Sequence, residues 1–122
     1  MPNIPKKILL IDDEPLYQRA YGVPLEQAGY AVAYASNGEE ALKRAKAEKF
    51  DAYIVDLIMP IMSGNAFLKK RTRKKVPAIV LTTLESDTDR EDALKYGATN
   101  FFRKTELDPQ ELVSAIDKLL SA

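Results

Sequence analysis

The stretch DAYIVDLIMPIMSG, Asp51 to Gly64, decides how this chain is read. Ala52 to Val55 is apolar at every position, Asp56 follows, and Pro60 and Ser63-Gly64 then break the chain. A short run with no polar side is what a strand shows when helices cover both faces of a parallel sheet. A lone carboxylate at the end of such a run costs several kcal/mol if it is buried as an ion without partners. The run therefore predicts a strand, Ala52 to Asp56, whose carboxyl end opens where a charge is tolerated.

The same pattern repeats outward from it. Lys7 to Ile11, Tyr30 to Ala35, Ala78 to Thr82 and Asn100 to Arg103 read as strands. Amphipathic segments lie between them. Leu16 to Ala28 reads as a helix with Pro15 in its first turn and Gly29 just past its end; Pro24 inside it predicts a kink or an early stop. Asn37 caps a second helix, with Glu40 as its capping-box partner and Ala41, Leu42 and Ala45 on one face. A short third helix runs from about Asn65 to Arg71. Ser86 or Asp87 opens a fourth, which ends at Gly97. Asp108-Pro109-Gln110-Glu111 opens a fifth that turns Leu112, Ile116, Leu119 and Leu120 inward. Strands alternating with helices predict a (βα)5 α/β fold, a doubly wound parallel five-stranded sheet with helices on both faces.

Composition narrows the function. At 122 residues the length predicts one domain, 1–122, either a whole protein or a domain cut from a longer one. Net charge is zero, which argues against direct nucleic acid binding. The basic run Lys69 to Lys75 reads as a solvated helix end. There is no cysteine and no histidine, which removes thiolate chemistry, the commonest zinc ligand and the commonest general base. No apolar run approaches the roughly 18 residues of a membrane span, so a cytoplasmic location is expected.

Ligands of open α/β sheets sit beyond the carboxyl ends of the strands, where strand order reverses. Asp12 and Asp13 follow strand 1, Asp56 closes strand 3, Thr82 and Thr83 end strand 4, and Lys104 follows strand 5. The order 2-1-3-4-5, borrowed from known doubly wound folds, would bring the three carboxylates into one crevice beside a hydroxyl and an ammonium. Oxygen ligands without histidine or cysteine suit Mg2+ better than zinc or copper. An aspartate can also attack phosphorus and become an aspartyl-phosphate.

With KKILLIDDEP (6–15), ASNGEEAL (35–42), FDAYIVDLIMPIMSG (50–64), PAIVLTT (77–83), YGATNFFRK (96–104) and DPQELVSAI (108–116), the chain resembles the receiver domain of two-component response regulators over essentially its whole length. That resemblance implies Asp56 as phosphoacceptor and Asp12 and Asp13 as the acidic pair that binds Mg2+, with the backbone carbonyl of Ile58 completing the protein ligands. It implies Thr82 as the hydroxyl that moves toward the phosphoryl group, Lys104 as its ionic partner and Phe101 as an aromatic switch, with core packing the competing role for Phe101. It further implies a histidine kinase or histidine phosphotransfer protein as donor. An output domain or homodimer would read the face made by the fourth helix, fifth strand and fifth helix. The chain would then be a switch rather than an enzyme, catalysing only its own phosphorylation and dephosphorylation.

Departures from the family pattern carry expectations of their own. Thr105 follows Lys104 where proline often does, which predicts a trans bond, because a cis bond before a non-proline costs about 2.5–4 kcal/mol. The span from Asp56 to Thr82 is short, so the third helix or its loop should be trimmed. Ile58 and Leu84 are apolar where many members are polar, which predicts slow autodephosphorylation. An aspartate-nucleophile phosphohydrolase would need a second acid where Ile58 stands, and neither GxGxxG nor GxxxxGK[ST] occurs. A receiver-like docking module that is never phosphorylated is the remaining alternative.

Overall fold

A computed structural model describes residues 4–83 and 86–121. Five strands and five helices alternate: β1 Lys7–Ile11, α1 Pro15–Gln27, β2 Ala31–Ala35, α2 Gly38–Ala47, β3 Ala52–Val55, α3 Gly64–Lys70, β4 Ala78–Thr82, α4 Asp87–Lys95, β5 Asn100–Arg103 and α5 Pro109–Leu120. The strands form one parallel sheet in the order β2-β1-β3-β4-β5, as expected. Leu84, one of the two apolar positions expected near the acceptor, lies outside the described residues.

Alternation along the central strands builds two cores. Leu9, Ile11, Tyr53, Val55, Ala78 and Val80 face one way and meet Ala41, Ala45, Phe67, Leu68 and Ala93 from α2, α3 and α4. Ile8, Leu10, Ala52, Ile54, Ile79 and Leu81 face the other way and meet Tyr21, Leu25, Leu112, Val113 and Ile116 from α1 and α5. Each fully buried Leu, Ile or Phe stabilises by about 1.5–3 kcal/mol, so both faces resist sliding of the strands. Leu119 and Leu120 are only partly buried against the second core, while Val113 is buried there without having been singled out.

The ends of the helices follow local chemistry. Gly29 adopts φ 103° past α1, and the N–H groups of Gly29 and Tyr30 return to the carbonyls of Glu26 and Leu25; only glycine adopts that φ freely. α5 carries the full capping box between Asp108 and Glu111. At α2 the expected box is half made. The Asn37 side chain accepts from the Glu40 N–H, but the Glu40 carboxylate accepts from Ser36 N instead.

Two expectations need correction. α1 does not stop at Pro24 but continues to Gln27. The carbonyl that loses its donor there, four residues back, belongs to exposed Ala20, where water can replace the missing N–H. The basic run is not uniformly solvated. Arg71, the C-cap of α3, turns inward and is 2% exposed, donating to the carbonyls of Val76 (2.6 Å) and Gly97 (3.2 Å). Arg73 donates to the carbonyls of Ala45 and Glu48, at the end of α2, where a cation opposes the helix dipole. α3 is short, at seven residues, as the trimmed span predicts, and Lys104–Thr105 is trans.

Candidate functional site

The carboxyl ends of β1, β3, β4 and β5 place the candidate residues side by side. Each is fixed by the sheet itself. Asp12 N donates to Ala35 O, Asp56 N to Ile11 O and Lys104 N to Thr82 O, at 2.9–3.0 Å. These bonds extend the ladders one rung past the assigned strands. Asp56 therefore belongs to the sheet through its backbone while its side chain emerges at the edge.

The Asp56 carboxylate is 7% exposed and well supplied with donors. Its Oδ1 accepts from the Thr82 hydroxyl at 2.8 Å and from Ile58 N at 3.2 Å, and its Oδ2 from Lys104 Nζ at 3.3 Å. Thr82 is fully buried, and its hydroxyl already reaches the Asp56 carboxylate. Such bonds hold an ion that the apolar run alone would reject. Gly64 makes the following loop possible: a Cβ there would stand 2.2 Å from the Asp56 carbonyl oxygen.

Asp12 is 3% exposed, and its Oδ2 takes a shorter bond from Lys104 Nζ, 2.7 Å. One ammonium is thus shared between two carboxylates. Burial pushes the Asp12 carboxyl above its usual range, and the Lys104 hydrogen bond only partly opposes this. Burial by itself would lower the Lys104 pKa, but Asp12 and Asp56 together hold it above the ordinary lysine value. Asp13 completes the cluster from an exposed position, with one oxygen from each of Asp12, Asp13 and Asp56 mutually within 4.8 Å. Three carboxylates against one ammonium, all with oxygen donors, form a set that could hold a hard divalent cation.

The remaining expected residues lie further out. Ile58 is about half exposed beside Asp56. Phe101 sits in β5 opposite Val80, partly buried against the first core, with the Arg90 guanidinium of α4 lying 5.8 Å from its ring centre. Among the described contacts, core packing and this cation account for it.

Two supporting residues were not anticipated. Gln18 Nε2 donates to the Asp12 carbonyl at 2.7 Å, and the Tyr17 ring centre lies 3.7 Å from Lys104 Nζ. Their positions on the first turns of α1, directly after the acidic pair, were the only signal available. Which way the side chains turn is set by tertiary contact.

Known proteins resemble this chain in sequence and in fold. Residues 8–117 match the model of the response regulator receiver domain. The chain is 34% identical over 117 residues to the alkaline phosphatase synthesis transcriptional regulatory protein PhoP of Bacillus subtilis, covering 94% of this chain and 48% of that protein. The chain thus spans about half the length of that relative. Among solved structures, a CheY-like receiver domain protein from Methanospirillum hungatei superposes with a TM-score of 0.91 at 28% identity, covering 96% of this chain and 94% of that one. Chemotaxis protein CheY4 of Vibrio cholerae gives 0.87 at 31% identity, covering 96% of this chain and all of that one. With the family model matching residues 8–117, the chain belongs to the response regulator receiver domain family.

Proposed function

We propose that residues 1–122 act as one phosphorylation-switched receiver, with Asp56 as phosphoacceptor. The observation that carries this reading is the Asp56 carboxylate, held at the edge of β3 between the Thr82 hydroxyl and the Lys104 ammonium, beside Asp12 and Asp13. An Asp56 oxygen attacks phosphorus in line. The O–P bond forms as the bond to the donor breaks, and the donor's leaving group carries away the electron pair. The chain has no histidine, so a histidine kinase or histidine phosphotransfer protein supplies the phosphoryl group.

Lys104 offsets the charge that builds on the phosphoryl oxygens, and the Thr82 hydroxyl turns from the free carboxylate to the modified one. Mg2+, held by Asp12, Asp13, Asp56 and the Ile58 carbonyl, would supply further neutralisation of those oxygens. The rearranged Thr82 and Lys104 then bias Phe101 and the α4–β5–α5 face, which an output domain or a second receiver reads. The half-buried Phe101 ring, which among the described residues packs on the first core and against Arg90, is suited to such a shift. Among the described residues no helix is long and apolar enough to cross a membrane.

Incubation with acetyl phosphate and Mg2+, followed by intact mass measurement, tests the proposal. One added phosphoryl group is expected, and none in Asp56→Asn or with EDTA. Absence of an adduct with acetyl phosphate and with phosphorylated kinase alike would leave the docking module as the better reading.

A further inference from the structure

Lys104 is held by three partners. Its Nζ lies 2.7 Å from Asp12 Oδ2, 3.3 Å from Asp56 Oδ2 and 3.7 Å from the centre of the Tyr17 ring. A lysine ammonium has three donors on a flexible stem, and two carboxylates alone leave it free to pivot about the line between them. The ammonium rests nearer Asp12 than Asp56.

The Tyr17 ring gives the ammonium a third contact, off that line. A ring face attracts a cation electrostatically, most strongly where water is excluded, and the Lys104 side chain is only 4% exposed. The ring is held in turn. Tyr21, one helical turn on, stacks on it with centres 6.0 Å apart and planes 10° from parallel. The turn that carries Tyr17 is tied to Asp12, because Glu14 N donates to the Asp12 carboxylate and Gln18 Nε2 to its carbonyl. Asp12 and Asp56 both belong to the carboxylate cluster that could hold a metal, whereas Tyr17 does not. Its contact with the ammonium is made by a group outside that cluster.

We propose that Tyr17 is a positioning residue, whose ring face fixes the Lys104 ammonium beside Asp56 so that it meets the incoming phosphoryl group. This rests on the phosphoacceptor reading of Asp56. The test replaces Tyr17 by Phe, by Phe bearing one, two or three ring fluorines, and by Leu. Fluorine withdraws electron density from the ring face at almost constant shape, so the series separates attraction from packing.

Two quantities are followed: the rate of acetyl phosphate phosphorylation by intact mass, and the NMR shifts of the Lys104 ε-methylene protons in metal-free protein. Tyr17→Phe should match the wild type in both. Each added fluorine should slow phosphorylation stepwise, to a total of about three- to thirtyfold. Tyr17→Leu should be as slow, and its Lys104 protons should lose the upfield displacement expected over a ring face. Equal rates across the fluorinated series would overturn the proposal, as would an equal loss in Tyr17→Phe and Tyr17→Leu, which would assign the effect to the hydroxyl. If the wild type takes no phosphoryl group, the phosphoacceptor reading fails. The methylene shifts then decide separately whether the ring seats the ammonium, and unchanged shifts in Tyr17→Leu would overturn that too.

Discussion

Arg71 carries its charge into the protein with no carboxylate in ion-pair reach among the described residues. Its guanidinium spans the carbonyls of Val76 and Gly97 and lies 5.8 Å from the ring centre of Tyr53. Burial lowers its pKa, and its Nε finds no partner. A planar fork can reach two carbonyls from different segments, whereas an ammonium reaches one direction at a time. Arg71→Lys should therefore cost about 1–3 kcal/mol in urea unfolding, and a loss near zero would show that the two carbonyls do not need the fork. Ile58 carries an expectation about the lifetime of the proposed phosphoryl group instead. It is about half exposed beside Asp56, and its side chain cannot hydrogen-bond and orient a water molecule. The phosphoryl half-life of wild type should exceed that of an Ile58→Asn, Leu84→Glu variant, measured by loss of the mass adduct. Asp12, Asp56, Thr82 and Lys104 were legible in the sequence because they are polar groups at the ends of apolar runs. Arg71 and Tyr17 were not, because a long or aromatic side chain in such a place is ordinary until its direction is known.

The loop between β3 and α3 is the most constrained connection described. Gly64 lets it pass against the Asp56 carbonyl, and Gly38 N donates to Met62 O. Ile61 lies at φ 69° with its side chain 77% exposed. A β-branched residue in the left-handed region is strained by roughly 1–2 kcal/mol, and asparagine tolerates that region better. Ile61→Asn loses little burial, so it should raise stability by about 0.5–1 kcal/mol in urea unfolding; a decrease would mean that the ring of contacts around Met62 depends on Ile61. Elements with a capping residue and a clear apolar face, α5 above all, were readable almost to the residue. Pro24 left an early stop open because the sequence marks a missing donor without showing that its acceptor lies on an exposed residue.

Across the molecule, the site's position followed from alternation of strands and helices, while the order that joins β1 to β3 had to come from known folds. Distant segments are also tied by tyrosines on the face that carries α1 and α5. Tyr30, before β2, donates to Asp117 of α5, and Tyr34 of β2 donates to Glu26 of α1 at 2.9 Å. Burial and then the partnering carboxylate push each phenol up to about 12. A folded pKa above the unfolded value near 10 means that these bonds contribute fully below pH 10 and are lost as pH rises through 12. The urea midpoint of wild type should fall across that window more steeply than that of a Tyr30→Phe, Tyr34→Phe variant.

The rungs made by Asp12, Asp56 and Lys104 beyond the strand ends have a kinetic consequence. Their amide protons are closed by continuations of the β1–β2, β1–β3 and β4–β5 ladders, so they exchange with solvent only when those strands part. In deuterated buffer those three amides should be among the slowest in the chain, near the rate set by global unfolding, while the exposed amide of Ile61 exchanges early. Slow exchange there would mean that the backbone beneath the carboxylate cluster is held as firmly as the strands it ends.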